Sequence, residues 1–188
     1  MGAPIDAHAS FQKQTLRNRL VLSGPQGRQV ITFPVQSQAR ASSEPLLSAH
    51  QAPIHPWRTL ETAYGNSPFF EHFKDELYAL WMEHLPQSEA DRKALNDWNW
   101  VSIRWVCDLC GWPVPTAASN APAIGEVDLD LRMKHGLRGD GWTYHRYPQP
   151  FEPAHGFVAG CSVLDALFIL GPHTVQTEIH RLVTAPGT

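Results

Sequence analysis

Apolar residues in the first third of the chain gather in two short strand-like runs, and helical spacing takes over further along. Leu20-Val21-Leu22 and Val30-Ile31-Thr32-Phe33 are short runs of strand-forming residues around Ser23-Gly24-Pro25-Gln26-Gly27, a cluster of turn formers, and together they predict a hairpin. The stretch 35–56 is rich in Ser, Gln, Ala and Pro and shows neither period, which predicts a surface connection. A short helix is expected over Thr59–Tyr64, capped by Thr59 and stopped at Gly65-Asn66. A longer one follows, with Ser67 as its cap, Pro68 in its first position and Phe69, Phe73, Leu77, Leu80 and Trp81 recurring at steps of three and four through Leu85.

Ser88 opens a third helical pattern, in which Trp98, Val101, Ile103, Trp105, Val106 and Leu109 run to a stop at Gly111. Trp112-Pro113-Val114-Pro115 must be extended, since proline removes a donor and disfavours helix in the residue before it. Residues 116–155 read as loop, with a short helix over Val127–His135. The apolar run Ser162–Leu170, stopped by Gly171-Pro172, and a last helix over Thr174–Val183 complete the pattern. A hairpin followed by several helices is an α+β arrangement.

Composition narrows the class of partner. Fifteen Lys and Arg against eighteen Asp and Glu give a net charge of −3, so no positive field draws the chain to nucleic acid or anionic lipid. No apolar run reaches the ~18–20 residues that span a bilayer, and the start Met1-Gly2-Ala3-Pro4-Ile5-Asp6 lacks a signal pattern, which sets the expectation of a cytoplasmic, single-domain protein over 1–188. Three cysteines, an odd number, argue for reduced thiols.

Four groups of residues carry candidate chemistry. Lys13, Arg17, Asn18 and Arg19 crowd together before the hairpin, where cationic forks suit a phosphate or carboxylate and equally suit a solvated edge that blunts a strand. His55-Pro56-Trp57-Arg58, with Tyr64 and Ser67, gathers an imidazole, a guanidinium and a phenol in a turn-rich segment; His55 is the natural proton carrier, or else Trp57 is core and His55 a satisfied loop histidine. Asp165 stands alone among Val163, Leu164, Ala166, Leu167 and Phe168, and a buried carboxylate needs partners: it orients His55 or an arginine, takes a proton from a substrate amine, or makes a structural bond. Cys107-Asp108-Leu109-Cys110 has no second cysteine pair to make a zinc site and reads as buried thiols, and Cys161 stands as a lone nucleophile candidate. No histidine pattern calls for a metal, and no P-loop or G-x-G-x-x-G names a cofactor.

Taken together, Phe11–Arg19 with Thr32-Phe33-Pro34-Val35, then His55–Thr59 with Ala63-Tyr64 and Ser67-Pro68-Phe69-Phe70, then Gly156-Phe157 with Ser162–Phe168 and Gly171-Pro172, resemble the WbqC-like family of bacterial proteins. That family is found with genes for O-antigen and other surface polysaccharides. The resemblance implies a protein of polysaccharide synthesis, with a transferase that adds an acyl or aminoacyl group to an amino sugar as the first expectation and an accessory protein binding a glycan precursor or partner enzyme as the second. In the transferase expectation the substrate is a nucleotide-linked amino sugar, with His55 and Asp165 catalytic and Lys13, Arg17, Asn18, Arg19, Arg58, Tyr64, Ser67, Tyr147 and Ser162 binding. In two places the sequence departs from the family pattern: the Pro-rich, aromatic segment that precedes the position of Asp6 is missing, and Gly160-Cys161 replaces the expected Asn-Leu.

Overall fold

Trp81 is the hub on which the helices and the hairpin meet. Its ring lies edge-on to Phe33 (5.6 Å between centroids), Trp57 (5.6 Å) and Trp98 (5.8 Å), so one indole joins residues from four parts of the chain. Edge-to-face pairs of this kind add to the apolar burial that drives the assembly. The computed structural model describes residues 4–6, 15–36, 45–50, 53–118 and 143–184.

The elements run in the order β1 (Pro4–Asp6), a 3-10 turn (Leu16–Asn18), β2 (Arg19–Gly24), β3 (Gly27–Thr32), α1 (Ile54–Tyr64), α2 (Phe70–His84), α3 (Leu95–Cys110), β4 (Thr116–Ala118), β5 (Thr143–Tyr144), α4 (Glu152–His155), α5 (Val163–Leu170), α6 (Pro172–Leu182) and β6 (Val183–Thr184). This is the α+β arrangement read from the pattern. The hairpin forms where expected, with β2 and β3 antiparallel from Arg19↔Thr32 to Gly24↔Gly27 and Pro25-Gln26 as its loop. β1 pairs in parallel with β4, and β5 antiparallel with β6. α1 packs on the hairpin, α5 on α2, and α6 on both α3 and α5.

Helix starts differ from the pattern, and tertiary bonds explain why. α1 begins at Ile54, so His55-Pro56-Trp57-Arg58 is its first turn rather than a loop; Pro56 is tolerated because early helical N–H groups have no intrahelical partner. Thr59 therefore lies inside α1, where its hydroxyl donates to the His55 carbonyl (3.2 Å) instead of capping. Ser67 does not cap α2, which starts at Phe70, because the Phe69 N–H is taken by the Phe168 carbonyl (3.0 Å). The third helix starts at Leu95, not Ser88, and the fourth long one at Pro172, with Thr174 inside it. The connection after Val35 is not all surface: Leu47 is 1% exposed, and the Leu47 N–H donates to the Lys93 carbonyl (2.9 Å). The Val127–His135 helix falls outside the described residues.

Gly171 links α5 to α6 with φ of +81°, and a Cβ there would meet the Phe69 ring at 2.7 Å. Gly171→Ala should therefore lose about 2 kcal/mol through the positive φ and the clash together. A urea melt with an unchanged midpoint would show that neither matters.

Candidate functional site

Three elements converge on one carboxylate. Ser162 caps α5, its hydroxyl accepting from the Leu164 N–H (3.4 Å), and its own N–H donates to the Val21 carbonyl (2.8 Å), which lays the start of α5 along the outer edge of β2. Asp165, in the first turn, is thereby turned inward and is wholly buried. Tyr64, the last residue of α1, donates its hydroxyl to Asp165 Oδ1 and accepts from the Ser23 N–H of β2 (3.2 Å).

The second oxygen is held from the other side. Tyr147 Oη (2.6 Å) and Gln149 Nε2 (2.9 Å) both donate to Asp165 Oδ2. The local sequence explains the pairing: in Tyr147-Pro148-Gln149-Pro150 each of the two donors precedes a proline, which holds it extended, and side chains two apart on an extended chain face the same way. Gln149 also closes its own loop, Oε1 accepting from the Val158 N–H (2.8 Å) and Nε2 donating to the Val158 carbonyl (3.1 Å).

Burial, then the Asp165 charge, pushes the Tyr64 and Tyr147 hydroxyls far above their ordinary value, so both act as donors. Cys161, beside them, donates to the Val158 carbonyl (3.3 Å). Burial and Asp165 push its thiol up to about 12, with Arg28 and the Gln149 bond acting the other way. A thiol so placed is a poor nucleophile at neutral pH. Arg28 donates to the Ala159 carbonyl (2.7 Å) at the rim, next to Tyr144.

The expected site residues do not assemble in one place. Tyr64, Tyr147 and Asp165 meet, with Ser162 supporting them. His55 does not reach Asp165: it is exposed, and it stands nine positions before Tyr64 on α1, about 13 Å along the axis and half a turn around it. The expected orientation of His55 by Asp165 is therefore corrected to a carboxylate held by two phenols and an amide. Arg58 is exposed on the same helix. Arg17 donates to Asn96 Oδ1 (2.6 Å) and its carbonyl accepts from Asn99 (3.0 Å), tying the 3-10 turn to α3. Asn18 donates to the Phe33 carbonyl (2.8 Å), closing the open end of the hairpin. Arg19 Nε and Ser67 Oγ are buried with no hydrogen-bond partner among the described residues, and Lys13 lies outside them. Gln149 is not among the residues expected from the sequence; its place between two prolines, two residues after Tyr147, is the available signal.

Among the described residues, no group of three or more His, Cys, Asp and Glu side chains is placed to hold a metal ion, and no helix is long and apolar enough to cross a membrane. No solved structure matches the chain. It is 27% identical over 185 aligned positions, 86% of this chain and 80% of the relative, to the uncharacterized protein Rv1507c of Mycobacterium tuberculosis. The model of the WbqC-like protein family matches residues 5–135, which takes in the first two resembling stretches and stops short of Asp165. With 131 of 188 residues inside that match, the chain belongs to the WbqC-like protein family.

Proposed function

We propose that this protein acts in bacterial surface-polysaccharide synthesis by transferring an acyl or aminoacyl group to the nitrogen of a nucleotide-linked amino sugar. The observation that carries the reading is the Asp165 carboxylate, built into the fold with one oxygen supported by Tyr64 from the core side and the other held by groups that are themselves simple donors, as the N–H of a neutral sugar amine would be. The polysaccharide setting rests on the resemblance to the family. In the step, the amine lone pair attacks the carbonyl carbon of an activated ester or thioester; the C–N bond forms, the bond to the leaving group breaks, and the proton shed by nitrogen passes to Asp165 and on to the leaving group. Lys13 and Arg19 contact phosphate in this reading, which the buried, unpartnered Arg19 Nε favours. His55 and Arg58, at the far end of α1, serve the donor or a partner enzyme.

A second reading, a non-catalytic binder of a glycan precursor, is favoured by one feature: both phenols and the Cys161 thiol around Asp165 are pushed away from neutrality, so none of them exchanges protons readily there.

The test is incubation of the purified chain with nucleotide-linked amino sugars and with acyl-thioester or aminoacyl donors, read by mass spectrometry and by thermal shift. A transferase gives a product heavier by the acyl group and loses it in Asp165→Asn. A binder is stabilised by the sugar, by roughly 2.7 kcal/mol at a hundredfold excess over Kd, and makes no product. Neither product nor shift would sink both readings.

A further inference from the structure

If Asp165 receives a ligand, as the reading above requires, something must open, because the residue is 0% exposed. The wall on the Oδ1 side belongs to the core: Tyr64, which donates to that oxygen, and Ser23, whose N–H holds the Tyr64 hydroxyl, are at most 1% exposed. The wall on the Oδ2 side is different in kind. From residue 150 to residue 160 no side chain is buried, α4 is a single turn with no buried residue, and Gly156 (φ +75°) and Gly160 (φ +69°) stand near the far end. The segment is latched to the hairpin by exposed bonds, from Arg28 to the Ala159 carbonyl (2.7 Å) and between His155 Nε2 and the Pro25 carbonyl. Internally it is a unit, since the Gln149 amide joins both of its ends and the Tyr147 ring packs edge-on to Phe157 (5.4 Å).

We propose that residues 147–160 form a hinged cover over Asp165, whose Tyr147 and Gln149 donors occupy Oδ2 until the N–H groups of an amine ligand replace them. The exchange leaves the carboxylate satisfied in both states, which keeps either state accessible, whereas an uncovered and unpartnered carboxylate would not be. Tyr64 stays with Oδ1, so the cover moves against a fixed half of the site. Gln149 is the one buried side chain of the cover and Tyr147 packs against the core, so opening costs least at the 150–160 stretch, with its exposed tethering bonds, and reaches the two donors last.

Cys161 reports the motion without any substrate. It is half-buried against the cover with its thiol on the Val158 carbonyl, while Cys107 and Cys110 are buried in α3 and report global unfolding. The full chain is treated with 4,4′-dithiodipyridine near neutral pH, and modification of each cysteine is followed by peptide mass spectrometry. His155→Ala, which leaves the Arg28 charge in place, should accelerate modification of Cys161 by roughly fivefold or more with Cys107 and Cys110 unchanged. A lock tests the converse: a Cβ at Gly27 would lie 3.8 Å from His155 Cβ, the usual separation across a disulfide, so oxidised Gly27→Cys/His155→Cys should protect Cys161 relative to its reduced form, which carries the same strain from the φ of +86° at residue 27. Equal rates in wild type, unlatched and locked chains overturn the cover, as does a rise at Cys161 only in step with Cys107 and Cys110. Reactive Cys161 in a chain that neither binds nor acylates an amino sugar upholds the cover and removes the transferase. Full turnover by the oxidised lock removes the cover and leaves the transferase standing.

Discussion

Asp165→Ala should destabilise the protein by roughly 3–5 kcal/mol. Truncation strands Tyr64 Oη, Tyr147 Oη and Gln149 Nε2 in the interior without their acceptor, and each stranded donor costs about 1–3 kcal/mol. The costs do not simply add, because the space left by the carboxylate admits water and releases the desolvation cost of the charge. Asp165→Asn should lose less, since its oxygen still serves Tyr64; the amide nitrogen then faces the Tyr147 and Gln149 donors, which is the smaller conflict. Urea unfolding followed by the fluorescence of the seven tryptophans measures both. An alanine variant within about 1 kcal/mol of wild type would mean that the network does not hold α1, α5 and the 147–149 stretch together.

Alkaline pH should unfold the protein cooperatively, by about pH 12. Tyr64 and Tyr147 hold their protons in the fold far above the ordinary value of 10.0, because burial and the Asp165 charge oppose a phenolate. Above that value the unfolded chain loses those protons and the folded one does not. The stability associated with a raised pKa is complete below the unfolded value and is lost as pH climbs, at about 1.4 kcal/mol per phenol per pH unit. Two phenols on one carboxylate give a slope near 3 kcal/mol per unit, and Cys161, raised from 9.0 to about 12, starts its own loss earlier. Against a typical stability of about 5–15 kcal/mol, that slope suffices within a few pH units. Tyrosinate absorbance should rise together with loss of tryptophan signal, and Tyr64→Phe/Tyr147→Phe should flatten the pH dependence. A tyrosinate rise near pH 10 that occurs in the intact fold and disappears in Tyr64→Phe/Tyr147→Phe would refute the buried network.

The two proposals depend on the same residues in different ways. The transferase needs Asp165 to meet an amine; the cover needs only that the Oδ2 side be the one that gives way. Their separation matters because the family match ends before Asp165, so the chemistry at α5 rests on this chain's own geometry.

The sequence by itself determined the elements whose cause is local. The β2–β3 hairpin follows from its turn residues, the buried faces of α2 and α3 from apolar spacing, the end of α3 from Gly111 in the left-handed region, and the inward carboxylate was visible as one Asp in an apolar helix. Family membership was legible in the same way, since its motifs are contiguous stretches. Helix starts were not, because the groups that set them arrive from elsewhere: the Phe168 carbonyl takes the Phe69 N–H that a Ser67 cap would have shaped. Nor was the composition of the site. Periodicity shows which face of α1 is buried, but not that Tyr64, 101 residues before Asp165, would be brought to it, while His55, which chemistry alone made the attractive partner, would lie half a turn away at the other end of the helix. Which donors surround a buried charge is decided by where packed elements bring their ends, and that is a property of the tertiary structure.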